Sequence, residues 1–391
     1  VGIHNLVLVL YIFWVLMLNR IWSIGRNPER KKFRKRDPNK PLKVGVVSEY
    51  YFPHIGGLSF DVHHAAIEFT KLGYETKLIT PNVDDPKYNF QHSPHGFEIL
   101  RVGKAVPIIA NGSFAKVCMG WRLGRDVKRI IDEQKFDVIH IHCPISPVLP
   151  MLFQVYADCP IIGHLHTLLK SKSFFYRMFR KPCSRFMQDF EGLVAVSDVA
   201  AQTFEKFFNC KFKVIPNGIP VDDFIVPLKP IEKFDDGKIN LFFIGRMEPR
   251  NGITVLLEAF RLIHKEEPNT RLILAGDGPW RPFFEDSVEP ELKPHVHFVG
   301  MVRDDKPRYF ATGHINICPT AASTASLGLT LLESMASGRP TVASDIPAFN
   351  ETIDAGYDVL VAGADAPEEF ARQVLRFIRE PQLGKEMAKR A

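Results

Sequence analysis

Three loops in this 391-residue chain carry residue types that can grip a phosphate or a sugar. The first, EYYFPHIGGLSFDVHH, leaves an apolar run and enters an amphipathic one. Its Gly56-Gly57 pair lets a ligand approach the backbone and leaves N–H groups open at a helix start, which suits phosphate. Taken alone, the same pair is an ordinary tight turn. The second loop, IGRMEPRNG, brings Arg246 out of a strand, where a guanidinium can hold a diphosphate through two parallel hydrogen bonds. The third, PTAASTASLGLTLLESMASGRPTVASD, is a Gly-containing loop that feeds a helix. Around Leu327, Gly328 and Leu329 the helix start offers N–H groups and a positive dipole end to a leaving phosphate. One turn on, Glu333 sits among Leu331, Leu332 and Met335, a setting that favours a buried carboxylate able to accept both hydroxyls of a ribose. Between these loops AGDGP (275–279) closes an apolar run, and FVGMV (298–302) follows where an edge for a base would lie.

Strands and helices must aim those loops. Short apolar runs at 43–48, 75–80, 97–102, 138–142 and 161–166 read as buried strands, followed by 193–197 and 212–215. Helical periodicity fills several gaps, as at 62–72 and 121–134. A Pro- and Asp-containing connector at 221–236 has no clear period. A second series follows, with strands expected at 239–245, 271–276, 295–300, 315–319, 341–344 and 358–361, and helices including 254–264 and 329–337. Such alternation argues for parallel sheets covered by helices on both faces. The expected fold is therefore α/β, with two Rossmann-like doubly wound domains, 43–220 and 237–391, facing a cleft.

Ahead of them lies 1–22, which is almost entirely apolar. About 20 such residues cross a bilayer as one helix, and no A-x-A-like cleavage site follows. Residues 23–42 form a basic juxtamembrane linker. Between Asn19 and Lys43 ten Lys/Arg stand against Glu29 and Asp37, whereas the rest of the chain holds 40 basic and 42 acidic residues. Positive charge flanking a span stays cytoplasmic, so a single-pass protein of the cell membrane with its body on the cytoplasmic side is expected. Because the net charge of +6 belongs to one short segment, a nucleic-acid footprint spread over the fold is not supported. Cys118, Cys143, Cys159, Cys183, Cys210 and Cys318 are scattered, with no CxxC, and read as reduced thiols. The sequence stops at Ala391 inside a helical pattern, and a further terminal helix is expected beyond it.

The first-half motifs GGLSFDVHHAAIEFTKLGYE, AVPIIANGS, FDVIHIHCP, IIGHLHT, VAVSD and VIPNGIPVDDF precede GR…G…LLEAF, LAGDGP, GMV and LGLTLLESMASGRPTVASD. In this order they resemble the retaining GT-B glycosyltransferases, and within them the phosphatidylinositol mannosyltransferase branch, over nearly all of 42–390. The resemblance implies an acceptor-binding first domain and a donor-binding second one. It implies a nucleotide-diphosphate sugar, GDP- or UDP-linked, as donor substrate, with no cofactor and no metal needed for the chemistry. Gly57 would donate backbone hydrogen bonds to the diphosphate, and His166 in HLHT would contact the transferred sugar beside the reacting carbon. Arg246 would hold the diphosphate, Val302 would meet the base and Glu333 the ribose. Fixed positive groups and the helix end would then stabilise the departing phosphate, which itself draws off the acceptor proton in a front-face attack.

Two positions depart from the family's pattern. Eight residues before Glu333 the family has a second glutamate, and here Ala325 stands; before Gly252 it has a lysine, and here Asn251 stands. A transition-state-specific charged contact can be worth ~10²–10³ in rate. On the acceptor side, Arg122, Arg125 and Arg129 share one face of a helix, with Lys128 nearby, either to meet an anionic lipid surface or as a solvated face. Residues 173–190 interleave aromatic and basic side chains, as a membrane-facing lip or as part of the first domain's core. The resulting expectation is a membrane-bound enzyme moving a hexose, by resemblance mannose, to a lipid such as phosphatidylinositol. Two alternatives stay open: a weak or inactive homologue acting as a binding or scaffold subunit, and a glucosyl- or galactosyl-diacylglycerol synthase.

Overall fold

Strands buried on both faces need helices on both sides, and Lys43-Val-Gly-Val-Val47, buried at its last four positions, is of this kind. The computed structural model describes residues 33–53, 56–84, 88, 91–110, 113–169, 180–226, 228–303, 305–321 and 325–391. They fall into two units that divide between Pro216 and Asn217.

The first unit is built on eight strands: β1 (Lys43–Val47), β2 (Glu75–Asn82), β3 (Glu98–Ala110), β4 (Ser113–Met119), β5 (Val138–His142), β6 (Ile161–Leu165), β7 (Gly192–Ala195) and β8 (Lys213–Val214). They form one sheet in the order β4-β3-β2-β1-β5-β6-β7-β8. Among the helices are α1 (Gly57–Lys71), α2 (Leu123–Gln134), α3 (Leu149–Tyr156), α4 (Arg180–Gln188) and α5 (Asp198–Glu205). The sheet is not wholly parallel as expected, because β3 and β4 pair antiparallel, with Ala110 opposite Ser113. Chain order reverses between β1 and β5, which puts the topological switch point, where ligands bind such sheets, at their carboxyl ends. Val62, Ala66 and Ile67 of α1 close over Val44, Val46 and Leu78 beneath it.

The second unit is all-parallel: β9 (Ile239–Ile244), β10 (Thr270–Ala275), β11 (Val296–Gly300), β12 (Ile315–Cys318), β13 (Thr341–Ser344) and β14 (Leu360–Ala362), in the order β11-β10-β9-β12-β13-β14. Its helices are α6 (Asp222–Ile225), α7 (Ile253–Glu266), α8 (Arg281–Asp286), α9 (Lys306–Thr312), α10 (Leu329–Ala336), α11 (Pro347–Asn350), α12 (Pro367–Arg379) and α13 (Pro381–Arg390). Here the switch point lies between β9 and β12. One core joins Leu241, Phe243, Leu256, Phe260, Phe370 and Val374; another joins Phe224, Phe234, Phe242, Ile273 and Phe310. The stretch 221–236, without period in the sequence, packs into this unit. Phe224 meets Phe310 edge-on at 5.5 Å, Ile231 donates its N–H to the Thr312 hydroxyl at 2.8 Å, and Asp236 pairs with Arg271.

Among the described residues no helix is long and apolar enough to cross a membrane. The anchor expected at 1–22, and the linker as far as residue 32, lie outside the described residues. The end of that linker docks on the first unit, where the Arg34 guanidinium donates to the Phe136 carbonyl at 2.8 Å. The six cysteines are free thiols.

Candidate active site

In the second unit, the loops leaving β9 and β12 are locked together at the switch point. Gly252 has φ +75°, and a Cβ on it would lie 1.6 Å from the Pro319 carbonyl oxygen, so no other residue allows this approach. The Ala321 N–H donates to the Arg250 carbonyl at 3.0 Å, a second tie between the same loops. Arg246 leaves β9 beside the buried carboxylate of Glu248, with Nη1 3.3 Å from Oε1, while Arg250 Nε lies 2.6 Å from Oε2. One buried acid thus orients two guanidinium groups. The Asn251 amide, standing where the resemblance has lysine, donates to the Arg246 carbonyl at 2.6 Å and stiffens this loop.

The loop after β12 ends in α10, capped by Gly328 at φ +98°. Its ladder begins with Leu331 donating to the Gly328 carbonyl at 2.9 Å, so Leu329 and Thr330 present the orphan N–H groups of a helix start. Leu327 is buried just ahead of them. Glu333, one turn into α10, forms an ion pair with Lys306 of α9, with side-chain exposures of only 8% and 14%. Its Oε1 takes the lysine; its Oε2 is shut off from solvent and has no hydrogen-bond partner. Burial pushes the Glu333 carboxyl above its usual range, against the pull of Lys306. Val302, past the end of β11, is half-buried and packs with Ala336 of α10 against one aromatic cluster. Ala325 rests on a different apolar cluster containing Cys318, Leu331 and Phe349.

In the first unit, Gly57 is the exposed first residue of α1, which follows β1. One turn further on, Asp61 reaches down to the ends of β5 and β6. There His142 Nδ1 lies 2.8 Å from His166 Nε2, and Asp61 Oδ2 lies 3.5 Å from the first and 3.6 Å from the second. Burial first, then neighbouring imidazoles, hold His142 and His166 well below the usual histidine range, so both rings are neutral near pH 7. Burial pushes the Asp61 carboxyl up to about 7. His166 is thus a neutral hydrogen-bonding group held from two sides, and Gly57 starts the helix that brings Asp61 to it.

Lys306, Glu248, Asp61, His142 and His164 were not singled out from sequence. The signal for the histidines is the repeat of His-x-His in two successive strands, which puts four rings on one face when those strands pair. Arg122, Arg125 and Arg129 lie on the exposed side of α2, whose Leu123, Val127, Ile130 and Ile131 are buried. Their face is shared with acids: Arg129 lies 3.6 Å from Asp126, and Lys128 lies 2.7 Å from Asp132. Of 173–190, residues 173–179 lie outside the described residues, while Phe186 and Phe190 are buried in the first unit.

The profile of Glycosyl transferases group 1 matches residues 238–380, and that of Glycosyltransferase Family 4 matches residues 55–223. A phosphatidyl-myo-inositol mannosyltransferase of Mycolicibacterium smegmatis is 31% identical over 351 residues, covering 88% of this chain and 86% of the relative. An alpha-monoglucosyldiacylglycerol synthase of Streptococcus pneumoniae is 24% identical over 338 residues, covering 80% and 73%. Among solved structures, Anabaena HepE in complex with UDP-glucose shares the fold, with a TM-score of 0.71 at 16% identity over 89% of this chain and 92% of that one.

Proposed function

The chain belongs to the group 1 glycosyltransferases of GT-B fold, and from that premise we propose that it is a retaining enzyme moving mannose from a nucleotide-diphosphate sugar to a membrane lipid such as phosphatidylinositol. The observation that carries the donor reading is Glu333. Its carboxylate is buried at the carboxyl edge of a doubly wound sheet, held through one oxygen by Lys306, with the other oxygen unpartnered. A vicinal diol such as that of ribose supplies the donors this oxygen lacks. Arg246, aimed by Glu248, and the N–H groups at the start of α10 suit the diphosphate of the same ligand.

In the transfer, the bond from the sugar's anomeric carbon to the phosphate oxygen breaks and a bond to the acceptor hydroxyl oxygen forms on the same face. The acceptor proton passes to the departing phosphate, so no protein carboxylate is needed as nucleophile. Negative charge gathers on that phosphate, where a fixed guanidinium and a helix N-terminus stabilise it without reorganisation. In the first unit, Gly57 is assigned to the diphosphate and His166 to the sugar. Val302 is assigned to the base.

Calorimetry with GDP-mannose, UDP-glucose and UDP-galactose tests the donor. Tightest binding of GDP-mannose is expected. Preference for UDP-glucose overturns the mannose assignment in favour of a glucosyl-diacylglycerol synthase, a reading supported by the second relative. Binding without turnover favours the scaffold reading, which rests on Ala325 and Asn251 standing where the resemblance has charged groups. For location, we propose a single span at 1–22 with the catalytic body on the cytoplasmic side. Deleting residues 1–36 should move the protein to the soluble fraction; retention on the membrane would point to a second anchor, with the basic face of α2 the first to examine.

A further inference from the structure

We propose that Asp61, His142, His164 and His166 form a binding site for one divalent transition-metal ion of the zinc class within the first unit. Each of the four side chains offers one ligand atom, and these atoms lie within 4.8 Å of one another. Three of them already outline a coordination face. The separations of 2.8, 3.5 and 3.6 Å among His142 Nδ1, His166 Nε2 and Asp61 Oδ2 bracket the spacing of about 3.3–3.4 Å between ligands of a tetrahedral ion with bonds of about 2.0–2.1 Å. His164 stands directly opposite His142 in the β5–β6 register and completes the set from the next strand.

The polar atoms at this place are poorly provided for by protein alone. Both ring nitrogens of His164, Nε2 of His142 and Oδ2 of Asp61 are shut off from solvent with no hydrogen-bond partner. Buried polar atoms in native proteins are rarely left so, and several in one cluster point to a group that they bind. The scaffold is stiff. His142 and His166 stack at 4.9 Å and His140 and His164 at 5.2 Å, each pair within 14° of parallel, and Phe69 of α1 packs edge-on against His140. Side-chain exposure rises from 0% at His142 to 5% at His166 and 11% at Asp61, so an ion would enter from the Asp61 side.

Burial keeps these imidazoles neutral, the form in which they ligate metals, with His164 lowered to about 4. Binding is balanced in protons: the ion ligates neutral imidazoles and the ionised Asp61 carboxylate, and any proton that carboxyl carries is released. The hydrogen shared between His142 and His166 moves to a ring nitrogen facing away from the ion, so both rings stay neutral. Three imidazoles and one carboxylate suit zinc or cobalt and not magnesium or calcium, which prefer an all-oxygen shell. The site stands on this geometry, and it shares His166 with the sugar contact proposed above.

The test is titration of the chelator-stripped full chain with Zn²⁺, Co²⁺ and Mg²⁺, followed by calorimetry, cobalt absorption and thermal melting. One equivalent of Zn²⁺ or Co²⁺ should bind, cobalt should show the intense visible bands of tetrahedral coordination, and Mg²⁺ should not compete. His142→Gln, His164→Asn and Asp61→Asn should each weaken Zn²⁺ binding by more than about 100-fold, beyond what outer-shell changes cause, and remove the zinc-dependent rise in melting temperature. The double variant His63→Asn/His95→Asn controls for a second ring group, in which His63 and His95 lie 5.4 Å apart, and should bind as the wild type. Binding that survives Asp61→Asn and His164→Asn, or that is lost only in the control, overturns the proposal. So does the absence of stoichiometric binding, which would leave a neutral, hydrogen-bonded imidazole stack.

Discussion

Glu333 and Lys306 carry the donor reading, and they act as a pair. Glu333→Gln keeps the shape but removes the charge that would accept two ribose hydroxyls. A charged hydrogen bond is worth about 1.5–3 kcal/mol, so donor affinity by calorimetry should fall roughly 10- to 100-fold with little change in fold. Lys306→Met instead leaves a buried acid without its cation, and urea denaturation should show a loss of about 3–5 kcal/mol, less whatever protonation of Glu333 recovers. If both single variants bind donor as the wild type, the ribose assignment fails. The two departures from the family pattern differ in kind. Asn251 holds the Arg246 carbonyl, so Asn251→Lys removes a hydrogen bond worth about 1 kcal/mol while adding a cation. Ala325 rests on an apolar cluster, so Ala325→Glu must place a carboxylate beside it. The double variant should still raise kcat at least ~10-fold if these losses limit the enzyme. An unchanged kcat would show that neither loss limits the enzyme, as expected where Arg250, anchored on Glu248, stands in for the missing cation and the carboxylate at 325 is dispensable.

Elements decide whether these residues meet. The β9 and β12 loops touch because Gly252 has no side chain, and Gly252→Ala forces a Cβ into a carbonyl as well as straining a left-handed backbone. It should cost more than about 2 kcal/mol in denaturant unfolding and weaken donor binding together. Loss of stability with intact donor affinity would separate the loops' contact from the site. On α2 the question is one of charge. Each basic residue near an anionic bilayer contributes about 1 kcal/mol, so replacing Arg122, Arg125 and Arg129 with Gln should weaken binding to phosphatidylinositol vesicles by roughly 100-fold. Asp126, Asp132 and Glu133 lie among them, and unchanged vesicle binding would mark the face as merely solvated.

At the scale of the whole first unit, Glu49 ties distant parts of the sheet together. It is buried just past β1, and its Oε1 accepts the N–H groups of Cys118 in β4 and Leu149 at the start of α3, each at 3.3 Å. Burial pushes its carboxyl up to about 8, with the two N–H donors pulling the other way. The folded state therefore holds this proton where the unfolded state has released it. Stability from this group is present below the unfolded value of 4.5 and is lost as pH rises towards 8. Glu49→Gln should remove that slope. Urea unfolding at pH 6 and pH 9 should show the wild type losing about 2–3 kcal/mol relative to the variant, and parallel losses would mean that Glu49 is ionised throughout.

Local sequence was enough for everything that depends on neighbours along the chain. The strand-helix alternation, the Gly56-Gly57 helix start, Arg246 at the end of β9 and Glu333 one turn into α10 are all short-range patterns, because period and loop chemistry act over a few residues. The antiparallel β3–β4 pair was legible in Asn111-Gly112, a hairpin signal that the expectation of an all-parallel sheet passed over. Contacts between distant segments were not legible. Lys306 meets Glu333 from another helix, and Asp61 meets His142 and His166 from about 80 and 105 positions away, a choice made by strand order and by the register that sets His142 opposite His164. Pairing and burial, which exist only in the folded chain, are what turn these ordinary ionisable residues into neutral rings, a half-satisfied carboxylate and a cluster of four ligands.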